Sequence, residues 1–274
     1  MPASRKPQPK ACEKIGLEVD MAEEFVGKTA VVTGASRGIG AATALALARA
    51  GVARLVLHYH LHREGAERTL EAVRAAGAQG EVLPADLGSV EGIRSFMTLL
   101  KGTAPAADIL VNNAGSLIRR AWLLEFTEAL YDEVMNLNVK SAYFITQALA
   151  PGMIGRGGGV VVNLSSIAAR NGGGPGATVY AAAKAAVMTM TKGLARELAP
   201  QGVRVNAVSP GTVDNEFHEK FSTRQMLESV AGATPAGRLA TNQDIADVIV
   251  FLCSDAARYI HGQTIEVNGG MLAP

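Results

Sequence analysis

Short aliphatic runs alternate with longer stretches of helical period along almost the whole chain, and no other feature constrains the fold as tightly. The candidate strands are Ala30–Thr33, Arg54–His58, Glu81–Pro84, Asp108–Val111, Val160–Leu164, Val203–Val208 and Thr264–Val267. Helical period falls over Ile39–Ala50, Gly65–Ala76, Val90–Leu100, Glu128–Ala150, Thr178–Ala199 and Gln243–Cys253. Successive strand residues face opposite ways, so a run with no polar interruption must be buried on both sides. That condition is met by a parallel sheet sandwiched between helices, an α/β doubly wound fold. The alternation continues to the C-terminus without a linker, so residues 25–274 are expected to form one domain.

Two stretches break the pattern. Residues 1–24 carry Pro2, Pro7 and Pro9 among mixed charges and lack the apolar run of a secretory signal; they are expected to be a flexible tail, and Met21 is a candidate start. Residues 212–238 are polar, with Phe217 and Phe221 scattered among them, and are expected to form a substrate loop. Cys12 and Cys253 are too few for a disulfide framework, which points to a reducing, cytoplasmic setting. Lys and Arg number 26 against 25 Asp and Glu, so no charge field favours nucleic acid or a membrane surface. No transmembrane span and no metal-ligand cluster is expected.

Thirty of the 274 residues are glycine, above the usual ~7%, and their placement carries information. Directly after the first strand comes TGASRGIG, with Gly34, Gly38 and Gly40 opening a helix. A sharp strand-to-helix turn needs residues without a Cβ, and the helix N-terminus offers free N–H groups to a diphosphate. Alone the spacing is a weak signal; at a strand–helix junction it indicates a dinucleotide site. The second strand runs into His58, Tyr59 and His60, with no acid before Glu64 to hold a ribose 2′-hydroxyl. Arg37 inside the loop, assisted by His60 or Arg63, suits a 2′-phosphate instead. NADP(H) is therefore favoured, with NAD(H) possible.

The segment YAAAK places Tyr180 and Lys184 four residues apart, on one face of a helix. A phenol has an ordinary pKa of about 10 and is a workable proton donor but a poor base at neutral pH. A neighbouring ammonium is expected to lower that pKa and make Tyr180 a general acid/base. Upstream, Val160–Leu164 ends in Ser165 and Ser166, at the sheet edge where such folds bind ligands. A hydroxyl there can hydrogen-bond a substrate carbonyl; no local His–acid relay marks it as a nucleophile.

Taken in order, TGASRGIG, Asp86 in ADL, NNAG at 112–115, Asn138 in NVK, the serine of SSIA, YAAAK and the turn Pro210–Gly211 resemble a short-chain dehydrogenase/reductase of the single-domain type over residues 25–274. The resemblance implies a Rossmann fold with a central parallel sheet of about seven strands, commonly a homotetramer or homodimer. It implies cofactor contacts from Gly34, Ser36, Arg37, Gly38, Ile39, Gly40, Tyr59, His60, Asp86, Leu87, Asn113, Ala114, Gly115, Pro210, Gly211 and Val213. Tyr180 would transfer the proton, Lys184 would hold the nicotinamide ribose, Ser166 would orient the carbonyl, and Asn138 would hold a water. The interval from Ser166 to Tyr180 is one residue longer than the family's usual spacing, which leaves Ser165 as a fallback, and Asn215 stands where many relatives have Thr.

The chain is similar to 3-oxoacyl-carrier-protein reductases. The stretches SIAARNGGG and PGTVDNEFHEK also resemble reductases of keto-uronates and related sugar acids. For an anionic carbonyl substrate, Arg119, Arg120, Arg170, His218 and Lys220 are the candidate cations. The rival class is a non-catalytic NADP-binding sensor that keeps the fold without the reaction.

Overall fold

The computed structural model describes residues 24–273. The expected tail, with Cys12 and Met21, lies outside the described residues apart from Glu24. Seven parallel strands form one sheet in the order β3-β2-β1-β4-β5-β6-β7. They are β1 (Thr29–Val32), β2 (Arg54–Tyr59), β3 (Gln79–Pro84), β4 (Ile109–Asn112), β5 (Gly159–Leu164), β6 (Val203–Pro210) and β7 (Thr264–Val267). All seven stand where the aliphatic runs predict them.

The strand pattern explains the layers. Ala30 and Val32, Leu55 and Leu57, and Ile109 and Val111 enter one apolar core; Val31, Val56 and Leu110, one residue out of phase, enter the other. The first core is closed by α1 (Gly38–Arg49), α2 (Arg63–Ala75) and α10 (Asn242–Cys253), through residues such as Leu47, Leu70, Ile245 and Ile249. The second is closed by α3 (Val90–Thr103), α5 (Ser141–Gly155) and α7 (Thr178–Leu198), through Phe96, Ile145, Leu149 and Leu194. Helix α10 begins with a capping pair: Thr241 Oγ1 accepts from Asp244 N, and the Asp244 carboxylate accepts from Thr241 N.

Two stretches differ from expectation. The single helix expected over Glu128–Ala150 is α4 (Glu128–Met135), a π-helical turn over Asn136–Lys140, and α5. The expected irregular stretch 212–238 contains α8 (Glu216–Phe221), capped by Asn215, and α9 (Arg224–Ala233), capped by Thr223. Between the serines and α7 a short helix, α6 (Ala168–Asn171), ends at Gly172 in the left-handed region.

Candidate active site

The strand order reverses between β1 and β4, and the crevice beyond the C-terminal ends of such strands is where this architecture admits a ligand. A cavity of about 630 Å³ opens there. On the β1 side, Gly34 turns with a φ of 64°, a conformation that suits glycine. Its carbonyl and that of Thr33 accept from Asn113 Nδ2 at 3.0 and 2.8 Å. Thr33 Oγ1 accepts from the backbone of Asn113 and Ala114, both at 3.0 Å. The glycine turn is thereby riveted to the NNAG segment.

Of the expected cofactor residues, Gly34, Ser36, Arg37, Gly38, Ile39, His60, Asp86, Leu87, Asn113, Ala114, Gly115, Pro210, Gly211 and Val213 line this cavity. Gly40 and Tyr59 do not. Gly40 packs where a Cβ would meet the Gly34 carbonyl and Asn113 Nδ2, so its role is close packing of α1 on the sheet. Tyr59 is buried and points to the opposite face from its neighbours His58 and His60, both of which line the cavity.

At the other end, Ser166, Tyr180 and Lys184 converge. Ser166 hydrogen-bonds the Tyr180 hydroxyl. Ser165 donates its hydroxyl to the Lys184 carbonyl at 2.9 Å, so it ties β5 to α7 while Ser166 meets the phenol. Lys184 Nζ lies 5.6 Å from the centre of the Tyr180 ring and donates to the Leu164 carbonyl at 2.8 Å. Burial lowers the Lys184 ammonium to about 8. Burial also pushes the Tyr180 phenol up to about 12, with the Ser166 hydrogen bond acting in the opposite direction. The sequence-based expectation of a lowered phenol pKa is thus reversed: loss of hydration outweighs its polar neighbours.

Asn138 sits in the π-helical turn. Its Nδ2 donates to Val134 O and to Ser116 O, both at 2.8 Å. Its Oδ1 is buried with no partner among the described residues. A Cβ on Gly115 would stand 2.7 Å from this Oδ1 and 2.8 Å from Lys184 Nζ, so both groups border the space in front of Gly115.

The outer wall belongs to the segment after β6. The Phe217 ring lies 6.0 Å from that of Tyr180 and 5.0 Å from that of Phe221. Arg120 lines the cavity, but its Nε donates to Phe221 O at 2.9 Å and its Nη1 to Pro175 O at 2.6 Å. It therefore clasps the two segments that flank the opening. His218 and Lys220 also line the wall; burial and the Arg120 charge lower His218 to about 4. Arg119 is exposed and Arg170 pairs with Glu266 at 3.1 Å, and neither lines the cavity. Asn215 lines it while capping α8 and donating to Asn242 Oδ1 at 2.8 Å. Residues that sequence reasoning did not single out for the site are Thr33 and His58, whose roles rest on tertiary contacts; only the threonine, next to the glycine motif, left a signal.

A nucleotide crevice at the switch point, joined to a Ser, Tyr and Lys cluster, defines the chemistry of a dehydrogenase. The family model described as enoyl-(acyl carrier protein) reductase matches residues 34–272, and the chain belongs to the short-chain dehydrogenase/reductase family of oxidoreductases acting on CH–OH and C=O groups. It is 40% identical over 249 residues to 2-dehydro-3-deoxy-D-gluconate 5-dehydrogenase of Escherichia coli (strain K12), covering 90% of this chain and 96% of the relative. It is 37% identical over 244 residues to the 3-oxoacyl-[acyl-carrier-protein] reductase FabG of Staphylococcus aureus (strain Mu50), covering 89% and 98%. Among solved structures, one from Beutenbergia cavernae, provisionally assigned as an NAD(P)-dependent gluconate 5-dehydrogenase with NADP bound at low occupancy, superposes with a TM-score of 0.84. It is 36% identical, covering 92% of this chain and 99% of that one. The NADH-dependent reductase A1-R′ responsible for alginate metabolism superposes with a TM-score of 0.82 at 35% identity, covering 92% and 100%. Among the described residues no helix is long and apolar enough to cross a membrane.

Proposed function

We propose that this protein reduces a ketone or aldehyde to the alcohol with NADPH, and runs the reverse reaction with NADP, using Tyr180 as the proton donor and acceptor. The observation that carries the reading is the convergence of Ser166, Tyr180 and Lys184 at one end of a crevice whose other end is the glycine turn. The residues fit the nucleotide: Gly115 leaves open a space bordered by Lys184 Nζ and the unpartnered Asn138 Oδ1. The turn from Gly34 to Ile39 would take the diphosphate, Asp86 and Leu87 the adenine, and Asn113, Ala114, Gly115, Pro210, Gly211 and Val213 the nicotinamide end. When bound, the cofactor supplies the hydride. Arg37 and His60 line the adenosine end and no acid closes β2, which supports the phosphorylated nucleotide.

Ser166, within hydrogen-bond reach of the phenol, would hold the carbonyl oxygen where Tyr180 can donate to it. A phenol held near 12 is fully protonated at neutral pH, so it is ready to act as an acid; as a base only roughly one molecule in 10⁵ is ionised at pH 7. Asn138, fixed by its two carbonyl partners, would present Oδ1 to a water that passes protons toward Lys184. Phe217 covers the phenol from the solvent side.

Two substrate readings follow. A 3-oxoacyl thioester suits the apolar side chains Phe217, Phe221, Met226 and Leu227 of the outer wall. A sugar-derived keto acid is favoured by the cationic Lys220 on the same wall and by the 40% identity to a keto-deoxy-gluconate dehydrogenase. Oxidation of NADPH and NADH against a panel of both substrate kinds tests them. Turnover of a keto acid with no turnover of 3-oxoacyl thioesters selects the second reading, and the converse selects the first. We further infer one domain over residues 25–274, a cytoplasmic location and a homotetramer or homodimer, in keeping with the single continuous sheet and the buried free Cys253.

A further inference from the structure

His58 is the penultimate residue of β2 and is 2% exposed. Both ring nitrogens are engaged by backbone: Nδ1 lies 3.0 Å from Gly34 N and Nε2 lies 3.0 Å from Ala85 O. An amide N–H can only donate and a carbonyl can only accept, so the partners dictate a bare Nδ1 and a protonated Nε2, the neutral ring. The edge of the ring rests on Phe96, with centroids 4.8 Å apart, which fixes its plane.

The two partners belong to different halves of the nucleotide crevice. Gly34 opens the glycine turn, and its carbonyl is already held from the β4 side by Asn113. His58 supplies the matching hold on its N–H from the β2 side. Ala85 immediately precedes Asp86, whose carboxylate accepts from Gly88 N at 2.9 Å and shapes the turn at the adenine end. The backbone beside His58 repeats the pairing: Ala35 N donates to His58 O at 2.8 Å and Ala85 N to Tyr59 O at 3.0 Å.

We propose that His58 is a positioning residue that locks the diphosphate turn to the adenine turn and so sets the affinity for the nucleotide. The inference rests on the NADP site proposed above. The imidazole spans the gap with a donor and an acceptor of fixed separation, which an aliphatic side chain cannot supply. Burial lowers the ring to about 4, with His60 also lowering it and the Ala85 hydrogen bond and Asp86 raising it, so the acceptor Nδ1 persists throughout the neutral range.

The test is fluorescence titration of NADPH against wild type and His58→Leu, His58→Asn and His58→Gln, with thermal unfolding and kcat at saturating NADPH recorded for each. His58→Leu is expected to raise the Kd fivefold or more while kcat at saturation stays within threefold. A rise below fivefold in folded protein overturns the proposal, since a purely structural role would lower the melting temperature and leave the Kd alone. The shorter Asn amide reaches the Gly34 side and the longer Gln amide the Ala85 side, so Asn is expected to recover the affinity better than Gln. If the Leu variant does not fold, this pair decides: both within twofold of wild type overturns the role, and Gln weaker than Asn by threefold supports it. Wild-type protein that fails to bind NADPH refutes the proposed cofactor, a result distinct from tight binding that His58 does not affect.

Discussion

Gly115→Ala is the smallest change that reaches the centre of the site. The added Cβ would stand 2.7 Å from Asn138 Oδ1 and 2.8 Å from Lys184 Nζ, whereas a comfortable separation is about 3.5 Å. One or both groups must therefore retreat by roughly 0.7 Å. Neither moves freely: Asn138 is held by Ser116 O and Val134 O, and Lys184 by Leu164 O. Misplacement of a positioning group by about 1 Å can cost on the order of 10²-fold in rate, so a loss of roughly 10- to 100-fold in kcat is expected. Overpacking adds about 1–3 kcal/mol of destabilisation. Steady-state NADPH oxidation with the best carbonyl of the panel, together with urea unfolding, reads both quantities. A variant with kcat and stability unchanged within twofold and 0.5 kcal/mol would show that Lys184 and Asn138 do not crowd the space in front of Gly115, and the reasoning from the Cβ geometry would fail.

Alcohol oxidation needs ionised Tyr180, whose pKa is raised, so its rate should climb about tenfold from pH 7 to pH 8 while reduction stays nearly level over that interval; equal slopes in initial-rate profiles would contradict this. His58 titrates near 4 when folded against about 6.5 when unfolded. It therefore contributes on the order of 3 kcal/mol that is fully present above pH 6.5 and lost as the pH falls toward 4. Urea unfolding at pH 7 and pH 4.5 should show that loss, and His58→Asn should remove the His58 part of it. Arg37→Ala should weaken NADPH binding about tenfold and leave NADH binding unchanged, the loss of one exposed charge-assisted contact; equal weakening of both would remove Arg37 from cofactor selection.

The layered fold was legible because a doubly buried strand is mostly apolar, and runs such as Ala30–Val32 and Ile109–Val111 announce themselves. The glycine turn and the Tyr180–Lys184 pair were legible for a similar local reason, fixed spacing on a turn or a helix face. Longer-range features were not. The π-helical turn at Asn138 preserves the apolar pattern of the helices around it, so no break in period marked it. Arg120 reads as a cation for an anionic substrate, but two of its donors go to carbonyls of segments distant in sequence. Tyr59 shared a neighbourhood with His60 and fell on the other face by strand alternation, a distinction the period of two already contained. The rise in the Tyr180 pKa depends on how completely the fold strips water from the phenol, which spacing alone does not specify.

The central claim is that Tyr180 passes the proton between enzyme and carbonyl. Tyr180→Phe keeps the ring against Phe217 and removes only the hydroxyl bonded to Ser166. NADPH oxidation with the best substrate of the panel should fall by about 10²–10⁴-fold, the usual worth of a positioned general acid, with NADPH affinity within threefold of wild type. Turnover retained in that variant, or tight NADPH binding by the wild type with no carbonyl turned over, would contradict the account.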